Sequence, residues 1–140
     1  MQALLPEGWR RPKGYANGVS ATLCPKGRQI FVAGMIGWDA DEVFHTDDFA
    51  GQARQALHNA VAVLAAGGAE PRHIVRMTWY VTDKREYLAA LPGIGQAFRE
   101  LIGHYDIAMS AVQVAALMED RAKVEIEVTA VVPDRDPDQA

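Results

Sequence analysis

The sequence predicts an α+β domain in which two helices pack on one face of a mixed sheet. Three observations predict it. Two segments carry apolar residues at helical spacing: Phe49, Ala53, Ala56, Leu57, Ala60 and Leu64 in the first, and Tyr87, Leu91, Ile94, Phe98 and Leu101 in the second. The segments around them alternate, or run β-branched and apolar, as strands do. The chain of 140 residues fits one domain and can bury a real core. The order reads β-β-α-β-α-β-β, with no repeat, linker or low-complexity stretch.

In chain order, residues 1–14 mix prolines, glycines and basic residues and are expected to form an irregular lead-in. The domain proper spans 15–132. Tyr15 to Leu23 is expected to be a first strand and Gln29 to Ile36 a second, joined as a hairpin across Pro25-Lys26-Gly27. Gly37 to His45 is a loop holding two large apolar residues, Trp38 and Phe44, which would cover a pocket, a neighbour or the chain's own core. Thr46 is expected to cap the first helix, with Asp47 and Asp48 in its first turn, where negative charge suits the helix dipole. Gly67-Gly68 ends it. His58 and Asn59 lie off its apolar stripe and are expected in solvent.

Pro71 leads into a strand, His73 to Val81. Asp83 caps the second helix, and Glu86 three residues on completes a capping-box pattern. Pro92 and Gly93 should interrupt that helix, and Gly103 closes it. Residues 133–140 form a polar tail expected to fray.

The most informative stretch is Ile107 to Val132. It predicts two strands, Met109 to Leu117 and Ala122 to Val132, folded as a hairpin about Met118-Glu119-Asp120-Arg121. The first is apolar on both faces apart from Ser110 and Gln113, so both faces need cover. A chain this short lays helices over one sheet face, so the other face is expected to meet another subunit. The second strand alternates: Val124, Ile126 and Val128 point one way, Glu125, Glu127 and Thr129 the other.

The totals exclude several classes. A formal net charge of -4 disfavours nucleic acid, which wants a basic face. One cysteine, Cys24, allows no disulfide framework within the chain and reads as an inert thiol. No apolar run approaches the ~20 residues of a membrane span, and the N-terminus lacks the apolar core of a signal peptide. A cytoplasmic location is expected. The four histidines show no i,i+4 pairing and there is no Cys-x-x-Cys, so no metal site is expected. Gly93-Ile94-Gly95 lacks a third glycine and sits inside a helix pattern, so it is no dinucleotide fingerprint. What remains is Glu125 with Glu127 on one strand face. They are either a solvated edge or a site, and an acid beside a covered surface would be partly desolvated.

Five pieces of the chain carry a family resemblance. They are Gly14-Tyr15, FVAGMI (Phe31 to Ile36), GQARQALHNAVAVLAAGGA (Gly51 to Ala69), SAVQVAAL (Ser110 to Leu117) and VEIEVTAVV (Val124 to Val132). With the capped second helix they make the chain similar to the RidA (YjgF) family of enamine/imine deaminases, also labelled endoribonuclease L-PSP. The resemblance implies a chorismate-mutase-like fold assembled as a homotrimer, with three clefts between subunits. It implies hydrolysis of enamines or imines to a 2-oxo acid and ammonia without a cofactor. In that pattern an arginine before the Ser-Ala-Val stretch clamps the substrate carboxylate, a last-strand glutamate helps place water, and a tyrosine lines the cleft. Tyr15 matches the tyrosine and Glu125 the glutamate. The arginine position is Met109. Ala33 and Met35 stand where a serine and a glutamine are common, and the asparagine often seen in the second helix has no counterpart around Leu91.

The candidate site is therefore Glu125 as catalytic group, with Tyr15, Ala33, Met35, Met109, Trp38 and Phe44 binding the substrate. Could another arginine replace the clamp? With the hairpin folded about its turn, Arg121 would lie roughly 40 Å from Met109 at ~3.3 Å per residue, which excludes it within one subunit. Arg76 is the better candidate. Three readings follow. The first is a deaminase acting on a less acidic or bulkier substrate. The second is a non-catalytic trimer that binds a small metabolite. The third, an endoribonuclease, lacks a basic aromatic patch.

Overall fold

Four strands make the main sheet of the computed structural model, which describes residues 1–23 and 25–133. The inert-thiol reading of Cys24 and the frayed tail over 134–140 lie outside those residues. In chain order the elements are β1 (Gln2–Leu4), β2 (Gly18–Ser20), β3 (Arg28–Ile36), α1 (Phe49–Ala66), β4 (Ile74–Val81), α2 (Lys84–Ala89), α3 (Leu91–Leu101), β5 (Ala108–Gln113) and β6 (Val124–Val132). The sheet order is β3-β6-β4-β5. β6 runs antiparallel to both its neighbours, and β4 and β5 are parallel. Parallel neighbours need a long crossover, and α2 and α3 supply it.

Alternation along the strands sorts the two sheet faces. Val32, Met77, Trp79, Val81, Val124, Ile126 and Val128 are all buried against the helices. They meet Phe49, Ala53, Ala56, Leu57, Ala60 and Leu64, the stripe of α1 predicted from spacing alone. On the other face Phe31 stays 71% exposed and Val112 45%. Helices cover one face and no described residue covers the other.

The expected hairpin of the last two strands does not form. β4 is inserted between β5 and β6, so Met109 pairs beside Met77 and never beside β6. β5 is also shorter than expected, ending at Gln113, and it is an edge strand. Alternation fixes which face a residue takes, but not which strand lies next to it. The first predicted hairpin fails in the same way. β2 pairs with β1, Ala3 opposite Val19, so the lead-in contains a strand and β3 turns to β6 instead.

Three local expectations shift. The cap of α1 is Asp48, whose carboxylate accepts from the Gly51 N–H at 2.9 Å, while Thr46 Oγ1 accepts from the Asp48 N–H. Asn59 is half-buried and not in solvent; its amide donates to the Ile36 and Trp38 carbonyls at 3.1 and 2.7 Å. Glu86 binds Lys123 Nζ at 2.9 Å, while Asp83 alone caps α2. The predicted interruption at Pro92 is present, since α2 and α3 part at Ala90 and Pro occupies the first turn of α3.

Fully buried Gln52 ties the turn before β6 to α1. Its amide donates to the Thr46 and Arg121 carbonyls, and its Oε1 accepts from the Lys123 N–H. A polar side chain survives at that depth because both amide hydrogens and the amide oxygen find partners.

Candidate functional site

A cavity of about 770 Å³ opens between α2, α3, the edge strand β5 and the end of the lead-in. That volume suits a drug-sized ligand. Its lining is mostly apolar: Trp79, Tyr87, Leu91, Ile94, Phe98 and Met109. Tyr15 reaches it because buried Ala16 bridges to Ala108 and donates its N–H to the Ile107 carbonyl at 2.9 Å. Tyr15 therefore sits at the start of β5, near Met109. Met109 reaches it because the parallel register sets it opposite Met77, on the helix-facing side.

Two polar groups stand in this apolar wall. Tyr87 packs edge-on against Phe49 and Trp79, with ring centroids 6.0 and 6.3 Å apart. Burial pushes its phenol above the ordinary tyrosine value, so it is a neutral O–H donor. Trp79 is 4% exposed, and among the described residues its Nε1 is the one buried side-chain polar atom without a hydrogen-bond partner. An unsatisfied buried donor costs about 1–3 kcal/mol.

Glu125 is elsewhere. It is half-buried on the open sheet face and does not line the cavity, whereas Glu127 is exposed. β3 bulges between Val32 and Met35, leaving Ala33 and Gly34 outside the ladder. The Glu125 carboxyl lies over that bulge: a Cβ added to Gly34 would come 2.6 Å from Glu125 Cδ. Only glycine leaves room for it there. Beside it Tyr80 Oη donates to Glu127 Oε1 at 2.6 Å, and this bond to the acid raises the Tyr80 phenol above its usual value.

The predicted site residues thus separate. Tyr15 and Met109 share the cavity, and Ala33 is exposed in the β3 bulge. Met35 is half-buried against the core. Trp38 and Phe44 are not cavity walls. They pack on each other at 5.8 Å, with the Arg121 guanidinium 5.3 Å from the Phe44 ring centre. Apolar loop residues can satisfy one another, which is what these two do.

Neither arginine reaches Met109. Arg121 binds Asp47 Oδ1 through Nε and Nη2, at 3.1 and 3.0 Å. Those contacts occupy it, in place of the hairpin distance. Arg76 lies one position before Met77 on β4 and is exposed on the open face, which half-buried Thr78 and Tyr80 share, opposite to Met109. Sequence reading missed Trp79 as a site residue, because its proximity to β5 depends on the parallel pairing. Among the described residues no three of His, Cys, Asp and Glu gather as a metal site, and no helix is long and apolar enough to cross a membrane.

Residues 11–132 match the family model described as Endoribonuclease L-PSP. The chain belongs to the RidA (YjgF) family. It is 32% identical over 105 residues to a 2-iminobutanoate/2-iminopropanoate deaminase of Salmonella typhimurium, covering 75% of this chain and 80% of that one. Its fold is similar to a Rid-family protein of unknown function, YyfB from Yersinia pestis, at a TM-score of 0.79 and 29% identity, over 92% of this chain and 96% of that one. It is also similar to Escherichia coli TdcF, solved with bound serine, at a TM-score of 0.65 and 28% identity, over 94% and 98% of the two chains.

Proposed function

We propose that this protein is an imine/enamine deaminase-type hydrolase that works as a homotrimer, on substrates other than the small 2-imino acids. One observation carries this reading. The position where the family pattern has its carboxylate-clamping arginine is Met109, in an apolar cavity wall, and Arg76 and Arg121 are directed elsewhere. A carboxylate next to the imine carbon would be buried there without a partner. Losing one half of a buried charge pair costs about 3–5 kcal/mol. That is roughly two to four orders of magnitude in turnover efficiency.

The chemistry needs little machinery. Water adds to the C=N carbon, giving up a proton to a base as the C–O bond forms. The nitrogen, protonated during the addition, takes a second proton back from the base. The C–N bond breaks to release ammonia, and the hydroxyl loses its own proton as the carbonyl forms. In this reading Glu125 holds the water and takes its proton. Because Glu125 lies on the open face away from its own chain's cavity, it would serve the cavity of a neighbouring copy seated on that face. Tyr15 and Tyr87 would orient the substrate, and no cofactor is required.

A non-catalytic metabolite-binding trimer is the second reading, and one observation favours it: no glutamate lines the cavity of a single chain. The deciding experiment generates imines in place with an amino-acid oxidase and follows their hydrolysis. Faster hydrolysis of phenylalanine- or leucine-derived imines than of the alanine-derived one supports the deaminase. A rate equal to the background on all three refutes it.

A further inference from the structure

The mouth of the cavity has the opposite character to its floor. Arg11 and Lys13, from the lead-in, and Arg99, from α3, all line it and all are exposed. None of the three is in an ion pair with a described residue. His104 joins them, and Asp106 is the one acid in the lining. The chain as a whole is acidic, at a formal net charge of -4, so three permanent cations at one opening run against the composition. Inside, Trp79, Ile94, Phe98 and Met109 offer no fixed positive charge.

We propose that the ligand of this cavity is amphipathic: an apolar, ring-sized body held on the floor, with an anionic group remote from the reacting carbon and held by Arg11, Lys13 and Arg99. The inference rests on the cavity being the substrate site. It adds the position of the charge. Met109 removes the clamp from beside the reacting carbon, and the rim supplies cations at the far end. An arginine at an open rim binds a carboxylate with two N–H donors while remaining hydrated when empty. That explains why these cations persist without protein partners. The volume agrees, because about 770 Å³ is far more than a three- or four-carbon acid fills.

The test is binding of inert probes to the intact protein, followed by Trp fluorescence and calorimetry. The probes are phenylbutanoate, its uncharged amide, the corresponding phenylbutylamine, and pyruvate. The carboxylate is expected to bind about tenfold tighter than the amide, and the amine and pyruvate more weakly than either. Arg99→Ala should remove most of the preference for the acid over the amide, and Arg99→Lys should keep part of it. Raising the salt should weaken the acid and not the amide. Equal binding of acid and amide, tighter binding of the amine, or no binding of any probe would overturn the proposal. If the acid preference appears but no imine is hydrolysed, the deaminase reading falls and this one stands. If imines are hydrolysed without any acid preference, the reverse holds.

Discussion

The two faces of the four-stranded sheet are built from the same strands but finished to different degrees. The helix-facing side is closed: Met77, Val124 and Ile126 are fully buried under α1 and α3. The opposite side is bare, with Phe31 and Val112 exposed between polar Arg76, Tyr80 and Glu127. The difference teaches that one chain completes its core but not its sheet. The candidate site follows the same division. Its binding half, with Tyr15 and Met109, opens beside the helices, and its acid, Glu125, lies on the bare face.

Several substitutions test that contrast. The largest effect concerns the cavity. Met109→Arg should raise turnover efficiency on the imine from serine or threonine, recovering part of the roughly two to four orders lost with the missing clamp. A dehydratase-coupled assay of 2-oxo acid formation measures it. If nothing is recovered, Leu91 and the other apolar walls have also moved the pocket to another ligand. On the closed face, Ile126→Ala should cost about 2–5 kcal/mol in urea unfolding, since it empties a fully buried position. On the bare face, Phe31→Asp should leave the unfolding of each chain almost unchanged while lowering the molecular mass in solution.

Smaller effects test the joints. Asp48→Ala should cost about 1 kcal/mol by removing the cap of α1, and Thr46→Ala less. The smallest is a pH effect at His73, which is buried and accepts the Glu70 N–H through Nδ1 at 3.0 Å. Burial, helped by Arg72, lowers its pKa below the ordinary value of 6.5. The unfolded chain therefore takes up this proton first. Stability should be unaffected well above pH 6.5 and fall as pH drops below it. His73→Gln should flatten that slope in denaturation midpoints measured across pH.

Much of this was readable from residues alone, for identifiable reasons. The stripe of α1 and the break at Pro92 are local patterns, and local patterns carried through. The faces of β6 were readable as well, because alternation is a local property. The neighbours were not. Residues 107–132 look like a hairpin because two strands flank a polar turn, yet β4 lies between them. Its pairing with β5 is parallel and spans a two-helix crossover. The same gap hid Trp79 from the site, and it made the hairpin distance for Arg121 irrelevant. Trp38 and Phe44 were offered as pocket walls because large apolar loop residues need cover, and composition cannot say that they cover each other. Asn59 was placed in solvent because it lies off the apolar stripe, whereas its amide holds the carbonyls at the end of β3.

We propose that further copies of this chain cover the bare sheet face, so that Glu125 of one copy completes the cavity of another. Light scattering coupled to size exclusion, on the dilute wild-type protein, tests it most directly. A mass of three times the 15.3 kDa chain, falling toward a single chain in Phe31→Asp, is the predicted result. A wild-type mass of one chain that persists as concentration rises would contradict it.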